Sequence, residues 1–261
     1  MSRIDAAFRD LRRENRTGLI TYVTAGDPDL ARSRDILIRL DRAGADILEV
    51  GVPFSDPLAD GPVIQRATER AIAAGTTLDG VLAMIADVRR TIDAPIVIFS
   101  YVNPILRMGL ETFVARARAA GVDGVLTLDV PPEEAGELRE ALSRARIDTI
   151  FLLSPTTSAE RIRRAAALGS GFLYGISRLG VTGARDDVSG SARELAERVR
   201  EETGMPLALG FGFSRPEHVR AVAAYADAAV VGSALVSVIA EHGPTARLLD
   251  EVERYVRWLK S

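Results

Sequence analysis

Eight short runs rich in Val, Ile and Leu punctuate the chain, at 19–24, 47–50, 96–99, 124–128, 149–153, 172–176, 207–210 and 228–231. Each is followed by a longer stretch whose apolar residues recur with helical spacing, as at 30–43, 77–91, 110–120, 133–146, 159–168, 191–203 and 216–224. A continuous apolar run is what a strand buried on both faces requires, and an intervening amphipathic helix is the crossover that joins parallel strands. No Pro/Gly/Ser-rich linker divides the series, and no GxGxxG follows the first strand. The expectation is therefore one closed (β/α)8 TIM barrel over residues 1–261, not two dinucleotide-binding halves. Residues 5–14 add a helix before the first strand, and 246–259 form the last one. The units are uneven: strand starts at 47 and 96 lie 49 residues apart and those at 172 and 207 lie 35 apart. Enlarged loops are thus expected after strands two and six, at the barrel end where chemistry is built.

Composition removes several kinds of chemistry. The chain has no cysteine, so thiolate nucleophiles, disulfides and cysteine metal sites are excluded. Of its 33 basic residues only Lys260 is lysine, and it sits where the chain end is expected to fray. A Schiff base, a Walker-type phosphate lysine and covalently held pyridoxal are discounted on that ground. The two histidines, His218 and His242, lie apart from any acidic pair, which disfavours a histidine-rich metal site. A formal charge of −3 supplies no electrostatic excess for nucleic acid or an anionic membrane. The longest charge-free stretches have 13 residues, too short to span hydrocarbon, and the N-terminus is charged where a signal peptide is apolar. A cytoplasmic location is expected.

Three features remain as carriers of chemistry. Glu49 stands inside an apolar strand, and an ionised carboxylate is rarely buried without a partner. It reads either as a salt-bridged strand residue or as a strand-end acid/base with a raised pKa. The segment after it, 51–65, holds three prolines, two aspartates and no basic residue, as a turn set or as a stiff loop aiming Asp60 at the pocket of Glu49. Glycines follow the last three strands, at Gly180 and Gly183, at Gly210 and Gly212, and at Gly232 before Ser233. These are turn glycines or a backbone phosphate cradle of the kind barrel enzymes build there without lysine. Tyr174 in strand six is a core residue or an inward hydroxyl. Tyr22, Phe99, Leu126, Leu128 and Phe211 either fill the barrel or line a flat apolar pocket for an aromatic group.

The run from Leu48 to Pro62, Leu-Glu-Val-Gly-Val-Pro-Phe-Ser-Asp-Pro-Leu-Ala-Asp-Gly-Pro, resembles the signature of the tryptophan synthase alpha subunit family. Further matches are Thr24-Ala25-Gly26-Asp27-Pro28, Tyr101-Val102-Asn103-Pro104, Asp129-Val130-Pro131, Gly180-Val181-Thr182-Gly183 and Gly210-Phe211-Gly212, in family order over essentially the whole chain. The resemblance implies a lyase that cleaves indole-3-glycerol phosphate, by a retro-aldol reaction, to indole and glyceraldehyde 3-phosphate. It implies Glu49 as the acid/base at the indole carbon and glycerol hydroxyl, Asp60 as stabiliser of positive charge at the indole nitrogen, and Tyr174 in support. Gly183, Gly212, Gly232 and Ser233 would bind phosphate, and Thr182 would help close the loop over it. It further implies no cofactor in this chain, pyridoxal phosphate only in a beta subunit, and an alpha2beta2 assembly contacted near the loop after strand two, Asn103 and Asp129. Tyr22 stands where a Phe is usual. The rival readings are a stand-alone indole-producing lyase and a binding subunit without turnover, the latter opposed by the presence of both carboxylates.

Overall fold

The computed structural model describes residues 1–176, 190–210 and 212–261. Among these, β1 (Gly18–Thr24), β2 (Ile47–Gly51), β3 (Ile96–Ser100), β4 (Gly124–Thr127), β5 (Asp148–Leu153), β6 (Leu173–Ile176), β7 (Leu207–Gly210) and β8 (Ala228–Val231) close in sequence order into a parallel barrel. The helices are α1 (Arg3–Arg13), α2 (Leu30–Arg42), α3 (Pro62–Ala73), α4 (Leu78–Val88), α5 (Val102–Met108), α6 (Leu110–Ala120), α7 (Gly136–Arg144), α8 (Ala159–Leu168), α9 (Gly190–Glu202), α10 (Pro216–Val222), α11 (Ser233–His242) and α12 (Leu248–Leu259). The expected barrel and its extra N-terminal helix are both present. No single helix among the described residues is long and apolar enough to cross a membrane.

Strand alternation divides the apolar residues into two layers. Leu48, Val50, Ile96, Ile98 and Leu173 face outward and pack with Ile36, Leu37, Leu40 and Ile85 of the surrounding helices. Ile20, Ile47, Val97, Leu126, Ile150 and Phe172 face inward and fill the barrel. Each such side chain, removed from water, contributes roughly 1.5–3 kcal/mol before entropy is counted. The two-sided demand explains why the strands read as unbroken apolar runs.

α1 closes the N-terminal end of the barrel. Ser2 and Asp5 cap it reciprocally, with Asp5 N–H donating to Ser2 Oγ at 3.1 Å and Ser2 N–H to Asp5 Oδ2 at 2.9 Å. Its buried Ile4, Phe8 and Leu11 reach the inner layer, and the Phe8 and Phe172 rings are 5.5 Å apart. A Cβ on Gly124 would lie 2.9 Å from both Ile4 and Ile150, so the plug depends on that glycine. With one end sealed, a ligand can enter only at the strand C-termini.

Two differences from the sequence pattern concern that open end. The surplus after β2 is a loop, 52–61, followed by a complete helix, α3, which starts at Pro62 because proline suits the first helical position. α5 forms directly after β3, between the strand expected at 96–99 and the helix expected at 110–120; its Pro104 lies in the first turn, where no intrahelical N–H bond is lost. Most of the segment after β6 lies outside the described residues. Lys260 is not frayed: its ammonium donates to the Gly44 carbonyl and lies 3.7 Å from Asp46.

Candidate active site

β2 carries Glu49 on the inward parity of Ile47 and Gly51, in register with Tyr22 of β1 and Val97 of β3. The residue is fully buried, and neither carboxylate oxygen has a hydrogen-bond partner among the described residues. Burial alone pushes its pKa up from 4.5 to about 8, so the carboxyl is protonated at neutral pH. Among the described residues Glu49 has no ion pair, so the alternative of a salt-bridged strand residue finds no support there. An unpartnered buried carboxyl is costly for folding, and such sites are where catalytic groups are held.

Burial raises the pKa of both Tyr22 and Tyr174; the charge of Asp60 and, more weakly, that of Glu49 add to the shift at Tyr22, and the charge of Glu49 adds to it at Tyr174. Both rings fit because the strands beside them carry glycine. A Cβ on Gly51 would lie 2.2 Å from the Tyr22 hydroxyl, and one on Gly210 would lie 2.3 Å from that of Tyr174. The Tyr22 hydroxyl pairs with Thr24 Oγ1 at 3.4 Å.

Asp60 arrives from the loop after β2 and is 9% exposed. Burial lifts its pKa from 3.8 to about 6, partly offset by a hydrogen bond from the Tyr101 hydroxyl at 3.3 Å. That hydroxyl also accepts the Ala59 N–H at 2.9 Å, and Gln65 Nε2 donates to the Asp60 carbonyl at 2.8 Å. Loop, strand end and α3 thus converge on one carboxylate. The result is two acids of different protonation at neutral pH, one mostly neutral and one mostly ionised.

Asp60 lines a cavity of about 140 Å³, whereas Glu49, fully buried on β2, is not among its lining residues. Tyr22, Phe99, Leu128, Leu152, Tyr174, Ile176, Ile64 and Val230 supply its apolar walls, and Asp60, Gly61, Gly212, Gly232 and Ser233 its polar rim. Tyr22 and Phe99 meet edge to face at 5.2 Å, and Phe99 and Tyr174 are 6.4 Å apart. The walls suit a flat aromatic group. On the rim, Gly232 precedes α11, whose first backbone N–H groups lack carbonyl partners within the helix and favour an anion. Gly212 has φ +79°, a conformation that L side chains rarely adopt.

Of the residues singled out in the sequence, Tyr22, Asp60, Phe99, Leu128, Tyr174, Gly212, Gly232 and Ser233 meet at this cavity. Leu126 does not: it points inward like Leu128 but lies two residues further from the strand's C-terminal end, fully buried in the barrel interior with Val97 and Ile150. Thr182, Gly183 and Phe211 lie outside the described residues. Leu152, Ile176 and Val230 were missed, although each falls two residues beyond an inward-facing residue and parity would have found it. Tyr101 carried no signal beyond its place in a motif, since its role depends on a contact with a loop 41 residues earlier. Among the described residues no group of three or more His, Asp or Glu could hold a metal ion.

The family model for tryptophan synthase alpha chain matches residues 8–260. The tryptophan synthase alpha chain of Geobacter sulfurreducens is 49% identical over 260 residues, covering 100% of this chain and 98% of the relative. That of Geotalea uraniireducens is 49% identical over 241 residues, covering 92% and 90%. Among solved structures, Mycobacterium tuberculosis tryptophan synthase superposes with a TM-score of 0.92 at 37% identity, over 99% of this chain and 97% of that one. The Legionella pneumophila subunit alpha gives 0.89 at 35% identity, over 100% and 97%. The chain belongs to the tryptophan synthase alpha chain family, lyases that cleave indole-3-glycerol phosphate and pair with a beta subunit.

Proposed function

We propose that residues 1–261 work as one cytoplasmic barrel domain that cleaves indole-3-glycerol phosphate with Glu49 as acid and base, and Asp60 as the charge-stabilising carboxylate. The observation that carries this reading is the fully buried, unpartnered Glu49, neutral at pH 7, on the strand beside a cavity rimmed by the ionised Asp60. The indole ring occupies the apolar walls, with its N–H toward Asp60. Phosphate lies at Gly212, Gly232 and Ser233; Thr182 and Gly183, assigned to the same group by family resemblance alone, lie outside the described residues. Tyr174 supports the site from the cavity wall.

The reaction then runs through one returning proton. Neutral Glu49 donates its proton to the ring carbon that bears the glycerol chain. The ring nitrogen becomes cationic, and Asp60 lowers the energy of that charge inside a water-poor cavity. The Glu49 carboxylate next accepts the proton of the hydroxyl on the adjacent chain carbon. That C–O becomes the aldehyde of glyceraldehyde 3-phosphate, the bond from chain to ring breaks, and its electron pair returns to the ring as neutral indole. Glu49 ends protonated, ready for another turnover. Positioned proton transfer of this kind contributes about 10²–10⁴-fold. No electrons leave the system, in keeping with a family whose alpha chain needs no cofactor of its own; pyridoxal phosphate belongs to the beta subunit.

The exposed Leu58 on the loop after β2, with exposed Asn103 and Asp129, supports docking of that partner beside the cavity mouth, in an alpha2beta2 assembly. Asp129 Oδ1 accepts the Val102 N–H at 2.8 Å, which joins the loops after β3 and β4 into one surface. An indole-release assay tests the whole reading. Slow cleavage by the chain alone and strong activation on mixing with a beta subunit are expected, and no indole under either condition would overturn it.

A further inference from the structure

The loop that begins at Gly210 leaves the barrel where the β7 ladder ends, since Gly210 is the last β7 residue in register with both Ile176 and Val230. Two residues further on, Gly212 lines the cavity rim in a backbone conformation, φ +79°, that L side chains rarely adopt. The next anchors come from elsewhere. Phe213 is buried in the outer layer, and its ring lies 6.3 Å from that of His218. The Ser214 N–H donates to His218 Nδ1 at 3.2 Å, and the Ser214 carbonyl accepts the Tyr255 hydroxyl at 3.0 Å. Both polar groups of a single peptide residue are therefore held, one by α10 and the other by the C-terminal α12.

We propose that His218 and Tyr255 form a clamp on Ser214 that positions the Gly212 backbone for phosphate, so that the C-terminal helix acts in recognition of the substrate's phosphate group without touching it. The proposal rests on the reading of Gly212 as part of the phosphate site. His218 sits at the third position of α10 and reaches back to Ser214, the residue before the N-cap Arg215, where its Nδ1 serves as the acceptor. The imidazole is 8% exposed, which holds the ring in place between Phe213 and the loop it restrains. Tyr255 spans 41 residues to make its bond, and nothing in the local sequence of α12 announces it. Each bond adds to the anchoring by Phe213 and lowers the backbone entropy left to lose on binding, so removing one weakens phosphate without weakening the indole pocket.

The test uses the full chain and two competitive inhibitors, sn-glycerol 3-phosphate and indole. In H218A and Y255F the inhibition constant for sn-glycerol 3-phosphate is expected to rise about three- to tenfold, the range one hydrogen bond spans. Indole affinity is expected to stay the same. H218N should restore phosphate affinity to within about twofold, because Asn Oδ1 takes the place of Nδ1 as acceptor. Equal weakening of both inhibitors, no weakening of either, or failure of H218N to recover would overturn the clamp. G212A separates this from the underlying reading: if it leaves sn-glycerol 3-phosphate affinity unchanged, the phosphate site itself is wrong and the clamp falls with it. If G212A weakens that affinity while H218A and Y255F do not, the clamp alone is overturned.

Discussion

The Tyr101 hydroxyl donates to the Asp60 carboxylate while accepting the N–H of Ala59, the residue just before it. A single phenol at the end of β3 thus fixes both the backbone and the charge of the loop that follows β2. Its bond is also the one influence that lowers the Asp60 pKa against the upward push of burial. In Tyr101→Phe the acidic limb of the pH–rate profile is expected to move to higher pH, with a loss in kcat/KM of about tenfold at neutral pH. A fall in rate with no movement of that limb would assign Tyr101 to packing alone.

Wild-type kcat/KM is expected to be bell-shaped between the two carboxyls. Activity should rise as Asp60 ionises near about 6 and fall as Glu49 loses its proton near about 8. Asp60→Asn should abolish the acidic limb together with most of the rate. A profile that keeps both limbs in that variant would contradict the assignment.

Glu49→Gln is expected to lower indole release at least about 10³-fold and to raise stability in a pH-dependent way. The folded carboxyl titrates near 8 and the unfolded one near 4.5, so between these values the folded state holds the extra proton. Wild-type stability therefore declines as pH rises through that window, by up to a few kcal/mol, and levels off above the folded pKa. The glutamine variant lacks this decline. Thermal or urea unfolding of both proteins at several pH values between 5 and 9 checks the sign: the gap should widen with pH and not narrow.

Gly210→Ala should displace the Tyr174 ring, because the new methyl would lie 2.3 Å from its hydroxyl and 2.8 Å from Cζ. A destabilisation of about 1–3 kcal/mol and a severe loss of activity are expected. The double variant Gly210→Ala/Tyr174→Phe relieves the closer contact and should recover part of the stability. Full additivity in that cycle would mean that the two residues do not share the space.

Much of this molecule is legible along the chain. Apolar runs such as 96–99 and 228–231 had to be strands covered on both sides, and eight of them with crossover helices close into a barrel. Glu49 stood out because a carboxylate in such a run is expensive, and Asp60 because its loop offers it no basic neighbour. What periodicity does not encode is depth and long-range contact. Leu126 and Leu128 share a parity, and only closure of the barrel sends one into the packed interior and the other to the cavity wall. The neutral state of Glu49 likewise comes from tertiary burial, with no partner supplied by any of the eight strands. Tyr101 on Asp60, and His218 and Tyr255 on Ser214, join residues through side-chain reach across folded loops. Local sequence therefore determined which segments face inward, because burial pattern is a property of each segment. Tertiary structure decided which of those side chains meet and at what pKa, because both depend on neighbours that are distant in the chain.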